Sequence, residues 1–183
     1  MMNKPLLALI TSLLLPIPNS YAEVISSDNH GFTIELSRIV NVSKTKAYQQ
    51  FINVNEWWNS DHTWFGSAQS MYIEPLVGGC FCEKNGEKQA LHMTISYVDP
   101  DNEMRMVGGL GPLQMLGITG GMSWKFESTT NGNSQNVTQQ QTKITFRYQV
   151  TGYMSEGLDT LSPIVDKVQS LQLDNLAAKL TNP

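Results

Sequence analysis

Cysteine is nearly absent from this chain, basic residues are few, and no apolar run is long enough to cross a bilayer. The two cysteines, Cys80 and Cys82, are too few for a multi-disulfide scaffold. Twelve lysines and arginines against 16 aspartates and glutamates give a formal charge of −4, which argues against nucleic acid or an anionic membrane as the main partner. The apolar run from Leu6 to Leu15 falls short of the roughly 20 residues of a spanning helix, so no stable membrane insertion is expected. Motifs that announce chemistry are missing too: there is no GxSxG, no HExxH and no glycine loop followed by a phosphate-binding lysine. These absences leave a small or apolar partner as the expectation, with no cofactor.

The N-terminus is the first positive signal. "MMNKPLLALITSLLLPIPNSYAEV" carries one charge at Lys4, an apolar stretch, prolines, and small residues at Ser20 and Ala22. That is the pattern of a secretory signal peptide spanning 1–22, with cleavage after Ala22. The expectation is an exported, periplasmic protein whose mature part, 23–183, forms one domain. Losing Lys4 takes the formal charge from −4 to −5.

Hydrophobic periodicity then orders the chain. Phe32, Ile34 and Leu36 alternate with polar residues, as in a half-buried strand. Ser43 suits an N-cap, and Ala47, Tyr48 and Phe51 follow at helical spacing, predicting a short helix. A strand near 69–74 precedes a hairpin around Asn85-Gly86. Alternation returns at Leu91, Met93, Ile95 and Tyr97, then at Met122, Trp124 and Phe126, and again at Ile144, Phe146, Tyr148 and Val150. These predict an antiparallel sheet with one wet face. Between the last two, "TTNGNSQNVTQQQT" reads as a long polar loop. From Leu161 to Leu180 apolar residues recur at helical spacing, predicting a helix of about twenty residues and roughly 30 Å. The fold class is α+β, a bent sheet gripping a final helix.

The stretch "EPLVGGCFCEKNGEKQALHM" poses the chemical question. A two-residue turn at Asn85-Gly86 would set Lys84 against Glu87, Cys82 against Gln89 and Cys80 against Leu91. Both cysteines would then face inward with Leu91 and Met93, while Phe81 and His92 point away; a bulge would reverse this. Two small apolar side chains lining the interior is the favoured reading. A disulfide would need local distortion, because alternate residues of a strand lie about 6.5 Å apart. CxC is not the usual zinc spacing, and no metal site is expected.

Taken together, "WWNSDHTWFG", "EPLVGGCFCE", "HMTISYVDPDNEMRM", "GGLGPLQ" and "YQVTGYMSEGLDTLSPIVDKV" resemble the START-like superfamily, also called SRPBCC or Bet v1-like. The resemblance is closest to its polyketide cyclase/dehydrase or activator-of-Hsp90-ATPase-like group and covers the mature chain. It implies a helix-grip fold, a curved antiparallel sheet around a long C-terminal helix with an apolar cavity between them. It carries over no catalytic residues, and the leader argues against an Hsp90 partner.

Candidate cavity residues follow from this geometry: Met93, Met104, Met106, Trp124 and Phe146 on the inner face, joined by Cys80, Cys82 and Leu91. Pairing across the "DPDN" loop sets Ile95 opposite Met106, and Tyr97 is placed inside by alternation. Trp64 and Phe65 would close the mouth, where a ring meets ligand on one side and water on the other. The segment "GGLGPLQMLGITGG" combines glycine with exposed apolar residues, so Leu110, Leu113 and Met115, with Trp57 and Trp58, are candidate gate residues. Enclosure of a small apolar or amphipathic ligand is the leading expectation. Two alternatives stand beside it: a polyketide cyclase/dehydrase-like enzyme with His62 as general base, and a protein-interaction module without a ligand. Asp61, His92, Arg105 and Tyr153 are weaker acid-base candidates, His92 and Arg105 because alternation puts them outside.

Overall fold

The computed structural model describes residues 22–129 and 140–181. Residues 1–21, which make up all but the last residue of the expected signal peptide at 1–22, and most of the polar loop at 129–142 lie outside the described residues. Eight strands form one antiparallel sheet: β1 (Ala22–Asp28), β2 (Gly31–Val40), β3 (Met71–Ile73), β4 (Cys80–Asn85), β5 (Lys88–Asp99), β6 (Glu103–Val107), β7 (Thr119–Thr129) and β8 (Gln141–Thr151). Their order across the sheet is β1-β2-β8-β7-β6-β5-β4-β3. Helix α1 (Lys44–Ile52) and the terminal helix α2 (Ser162–Thr181) complete the helix-grip arrangement.

The predicted alternation builds the centre of the sheet. Leu36, Phe146, Trp124 and Met104 are successive cross-strand partners on β2, β8, β7 and β6, and each is at most 2 % exposed. Residues two apart share a face, so this row repeats with Ile34, Tyr148, Met122 and Met106. Helix α1 begins where its cap predicts, Ser43 Oγ accepting from the Lys46 amide. It drives Phe51 against Trp124, ring centroids 4.9 Å apart, and Trp124 in turn meets Phe146 at 4.8 Å. The space beneath the middle of the sheet is therefore filled by the protein's own rings and thioethers.

Two bulges on β5 correct the expected faces. Phe81 pairs with Met93 but Cys82 with Leu91, so His92 is an extra residue; Ile95 pairs with Met106 but Tyr97 with Arg105, so Ser96 is another. Only Met93 and Ile95, between the bulges, keep the inward alternation. Leu91 is turned out and is 52 % exposed, and Tyr97 lies outside beneath the Arg105 guanidinium, 4.4 Å from its ring centre. The hairpin turn also shifts, with Asn85 opposite Lys88 around Gly86-Glu87. Phe81, Glu83 and His92 consequently face inward, while Cys80 and Cys82 occupy the opposite face and are joined in a disulfide, Cα atoms 5.4 Å apart. Neither cysteine lines the interior, contrary to the favoured reading of the sequence.

Strand β1 was not legible as a strand. Its residues from Ile25 to Asp28 are exposed, so no alternation marks it, and it is held by pairing with β2 across the Asn29-His30 turn.

Candidate functional site

The apolar stripe of α2 is covered along only half its length. Leu173, Leu176 and Leu180 are buried in the core, whereas Ile164 is 61 % exposed and Val165 and Val168 are half-buried. Opposite this open half lies a cleft of about 420 Å³. Its walls come from α2 (Leu161, Ile164, Val165, Val168, Gln169), from the 58–64 loop (Trp58, Asp61, His62, Thr63, Trp64), from the 110–116 segment (Leu110, Gly111, Pro112, Leu113, Leu116), and from His92 and Tyr148 of the sheet.

Each loop is tied down by a buried polar group. Glu83 is fully buried on β4, and its carboxylate accepts from the Trp64 amide at 2.8 Å and the Phe65 amide at 2.7 Å. The same carboxylate lies 3.3 Å from His92 Nε2. Burial lowers the His92 pKa, and the hydrogen bond and charge of Glu83 oppose this in part. The His92 Nδ1 is buried without a partner among the described residues. On the other side, the Tyr148 hydroxyl accepts from the Leu110 amide at 3.1 Å and donates to the Gly108 carbonyl at 3.2 Å. Burial pushes its pKa up to about 12, so it stays a neutral donor. The 110–116 segment is held close at its base as well, because a Cβ on Gly109 would meet the Ile118 carbonyl at 2.3 Å.

His62 lines the cleft as a hydrogen-bond donor. Gln172, fully buried on α2, accepts from the Asn59 amide through Oε1 at 2.9 Å, so its Nε2 faces His62 Nδ1 at 2.8 Å. An amide NH₂ can only donate, hence the neutral imidazole accepts at Nδ1 and carries its proton on Nε2. A general base needs a free lone pair at the substrate, and this arrangement removes it.

The sequence candidates divide accordingly. Trp64, Trp58, Leu110, Leu113 and His62 line the cleft. Met93, Met104, Met106, Trp124 and Phe146 are core residues at most 2 % exposed, and Trp57 belongs with them, its Nε1 donating to the Phe51 carbonyl. Phe65 is anchored through its amide to Glu83, and Met115 is 84 % exposed; neither lines the cleft. Arg105 is tied to Glu103 on the outer face, and Tyr153 is 81 % exposed. Tyr148, His92 and Gln169 were missed as cleft residues. In the sequence Tyr148 is one more residue in the alternation of β8, His92 faces inward only because of its bulge, and Gln169 is a polar residue within an apolar helical repeat, a signal the sequence does contain. Among the described residues no three of His, Cys, Asp and Glu are grouped to hold a metal, and no helix is long and apolar enough to cross a membrane.

No protein-family model and no curated protein matches the chain. Solved structures do. The likeness is one of fold. CalU16 from Micromonospora echinospora superposes with a TM-score of 0.54 at 11 % identity, covering 90 % of this chain and 87 % of that one. An uncharacterized protein from Rhizobium leguminosarum gives 0.54 at 16 % identity over 84 % and 96 % of the two chains. A conserved protein of unknown function from Enterococcus faecalis gives 0.52 at 11 % identity over 90 % and 78 %.

Proposed function

We propose that this protein is an exported member of the START-like superfamily that encloses a small apolar or amphipathic molecule between the open half of α2 and the loops at 58–64 and 110–116. The observation that carries the reading is the cleft itself: about 420 Å³, walled by aliphatic and aromatic side chains from segments far apart in sequence, with few polar groups. Small-molecule sites of this kind commonly span about 300–1,000 Å³. Fixed loops favour binding, because a site already shaped loses less freedom when it is filled. The filled space beneath the middle of the sheet limits the ligand to this one end. Export is supported by the N-terminal pattern and by the Cys80–Cys82 disulfide, since such bonds persist in oxidising compartments.

The test is native mass spectrometry of the protein purified from its own host, then denaturation and identification of what is released. One equivalent of an apolar or amphipathic compound is expected, on a polypeptide whose mass begins at Glu23. A protein that is empty, and stays empty after exposure to a host extract, would overturn the binding reading.

A further inference from the structure

The outer face of the β4–β5 hairpin carries a bond that stability does not explain. The Cys80–Cys82 disulfide bridges a single intervening residue, so it restrains little of the unfolded chain and acts locally on the folded one. It lies on an open face: Leu91, paired with Cys82, is exposed, and so is Val107, paired with Thr94 beside Cys80. Cys80 itself is half-buried.

The other face of residues 80–83 supports the cleft. Phe81, between the two cysteines, points inward and packs edge-on against Trp58, ring centroids 5.2 Å apart, with the His92 ring at 5.4 Å. Trp58 and His92 are both walls of the cleft. Glu83, next after Cys82, holds the Trp64 and Phe65 amides of the 58–64 loop and its end. His92, the extra residue of the bulge, lies opposite the bridge, since Cys80 pairs with Thr94 and Cys82 with Leu91. The bridge also shortens β4 here. Its Cα atoms are 5.4 Å apart, about 1 Å less than alternate residues of a regular strand. The Glu83 hydrogen bonds, 2.8 and 2.7 Å long, would leave bonding range if stretched by that amount.

Building on the proposed binding role, we infer that Cys80–Cys82 is a reversible redox site and that its reduction loosens the cleft. The co-reactant is a dithiol. One thiolate of the dithiol attacks a protein sulfur, the S–S bond breaks, and the displaced sulfur takes a proton. The second thiol of the dithiol then closes a disulfide with the first and releases the other cysteine as a thiol. Two electrons and two protons pass to Cys80 and Cys82, and the dithiol is oxidised. With the bridge open, β4 extends toward regular spacing, Phe81 and Glu83 shift against Trp58 and the loop amides, and the loop is freed. The cleft is formed in the oxidised protein and relaxed in the reduced one.

Treating the native protein with dithiothreitol and then iodoacetamide should add two labels without denaturant. Amide hydrogen exchange, compared between oxidised protein and protein kept in dithiothreitol, then tests the coupling without needing a ligand. Reduction should speed exchange at Trp64 and Phe65 about tenfold beyond any change at the amides of β8. Cys80→Ser/Cys82→Ser should exchange like the reduced protein and should not respond to dithiothreitol. The neutral fluorescent probe phenylnaphthylamine should bind the oxidised form about tenfold more tightly than the reduced one. Labelling only after denaturation overturns the redox site. Exchange at Trp64 and Phe65 that is unchanged, or that rises no more than at β8, overturns its coupling to the cleft, as does a double variant that still responds to dithiothreitol. Equal affinity of the probe for both forms overturns control of binding. Failure of the probe to bind either form overturns the binding reading, and the exchange rates alone then decide the redox coupling.

Discussion

Glu83 is the residue on which the site's shape depends. Its one carboxylate, itself fully buried, holds two consecutive loop amides and faces a buried histidine. Glu83→Ala should therefore destabilise the protein by on the order of 3 kcal/mol in urea unfolding, because two amides and an imidazole lose their partner together. A loss below about 0.5 kcal/mol, typical of a surface substitution, would show that the loop is held by other means. His92 supplies the pH dependence. Burial lowers its folded pKa from the ordinary histidine value of 6.5, so below 6.5 the unfolded chain takes up a proton that the folded chain resists. The stability His92 contributes is thus complete above that value and is lost as pH falls toward the folded pKa. His92→Gln should flatten the decline in unfolding free energy on acidification below pH 6.5; an unchanged slope would place the titration elsewhere. Neither residue's role could be read from the sequence. One bulge reverses the face of everything before it on the strand, and period-two alternation does not reveal a bulge.

At the scale of elements, the cleft exists because α2 outruns its cover. The repeat from Leu161 to Leu180 is continuous in the sequence, and it correctly predicts a long helix, although the face that is buried mixes Leu173, Leu176 and Leu180 with Ser162, Gln169 and Gln172. It does not say how much of that face the sheet reaches, since this depends on where the loops at 58–64 and 110–116 settle. The glycine-rich segment reads as a gate in the sequence, and its anchoring makes a clear expectation. Tyr148→Phe removes both hydrogen bonds to Gly108 and Leu110. It should cost about 1–2 kcal/mol and should speed amide hydrogen exchange at Leu110 well beyond any change at the amides of β8. Exchange that is uniform with wild type would mean the segment stays closed through its backbone contacts alone. The central strands were legible because their inner residues are large, buried and regularly spaced. Strand β1 was not, because an exposed edge strand has no burial to impose a pattern.

For the whole molecule, the disulfide matters less than its presence in an otherwise cysteine-free chain suggests. It closes a loop of three residues, and the chain-entropy gain for so short a loop is under about 2 kcal/mol. Cys80→Ser/Cys82→Ser should fold, with a Tm lowered by no more than about 6 °C. Failure to fold would give the bond an architectural role. The stability of this fold rests instead on the ring and thioether core, which meets the first half of α2 only at its margin, through half-buried Val165. A ligand seated there would act as a detachable part of the hydrophobic interior. Unfolding would then require its release, so melting temperature becomes a gauge of occupancy: at a hundred times Kd the gain is about 2.7 kcal/mol. A cell holding this protein would keep the filled form and preferentially clear the empty one, which makes its abundance a readout of ligand supply.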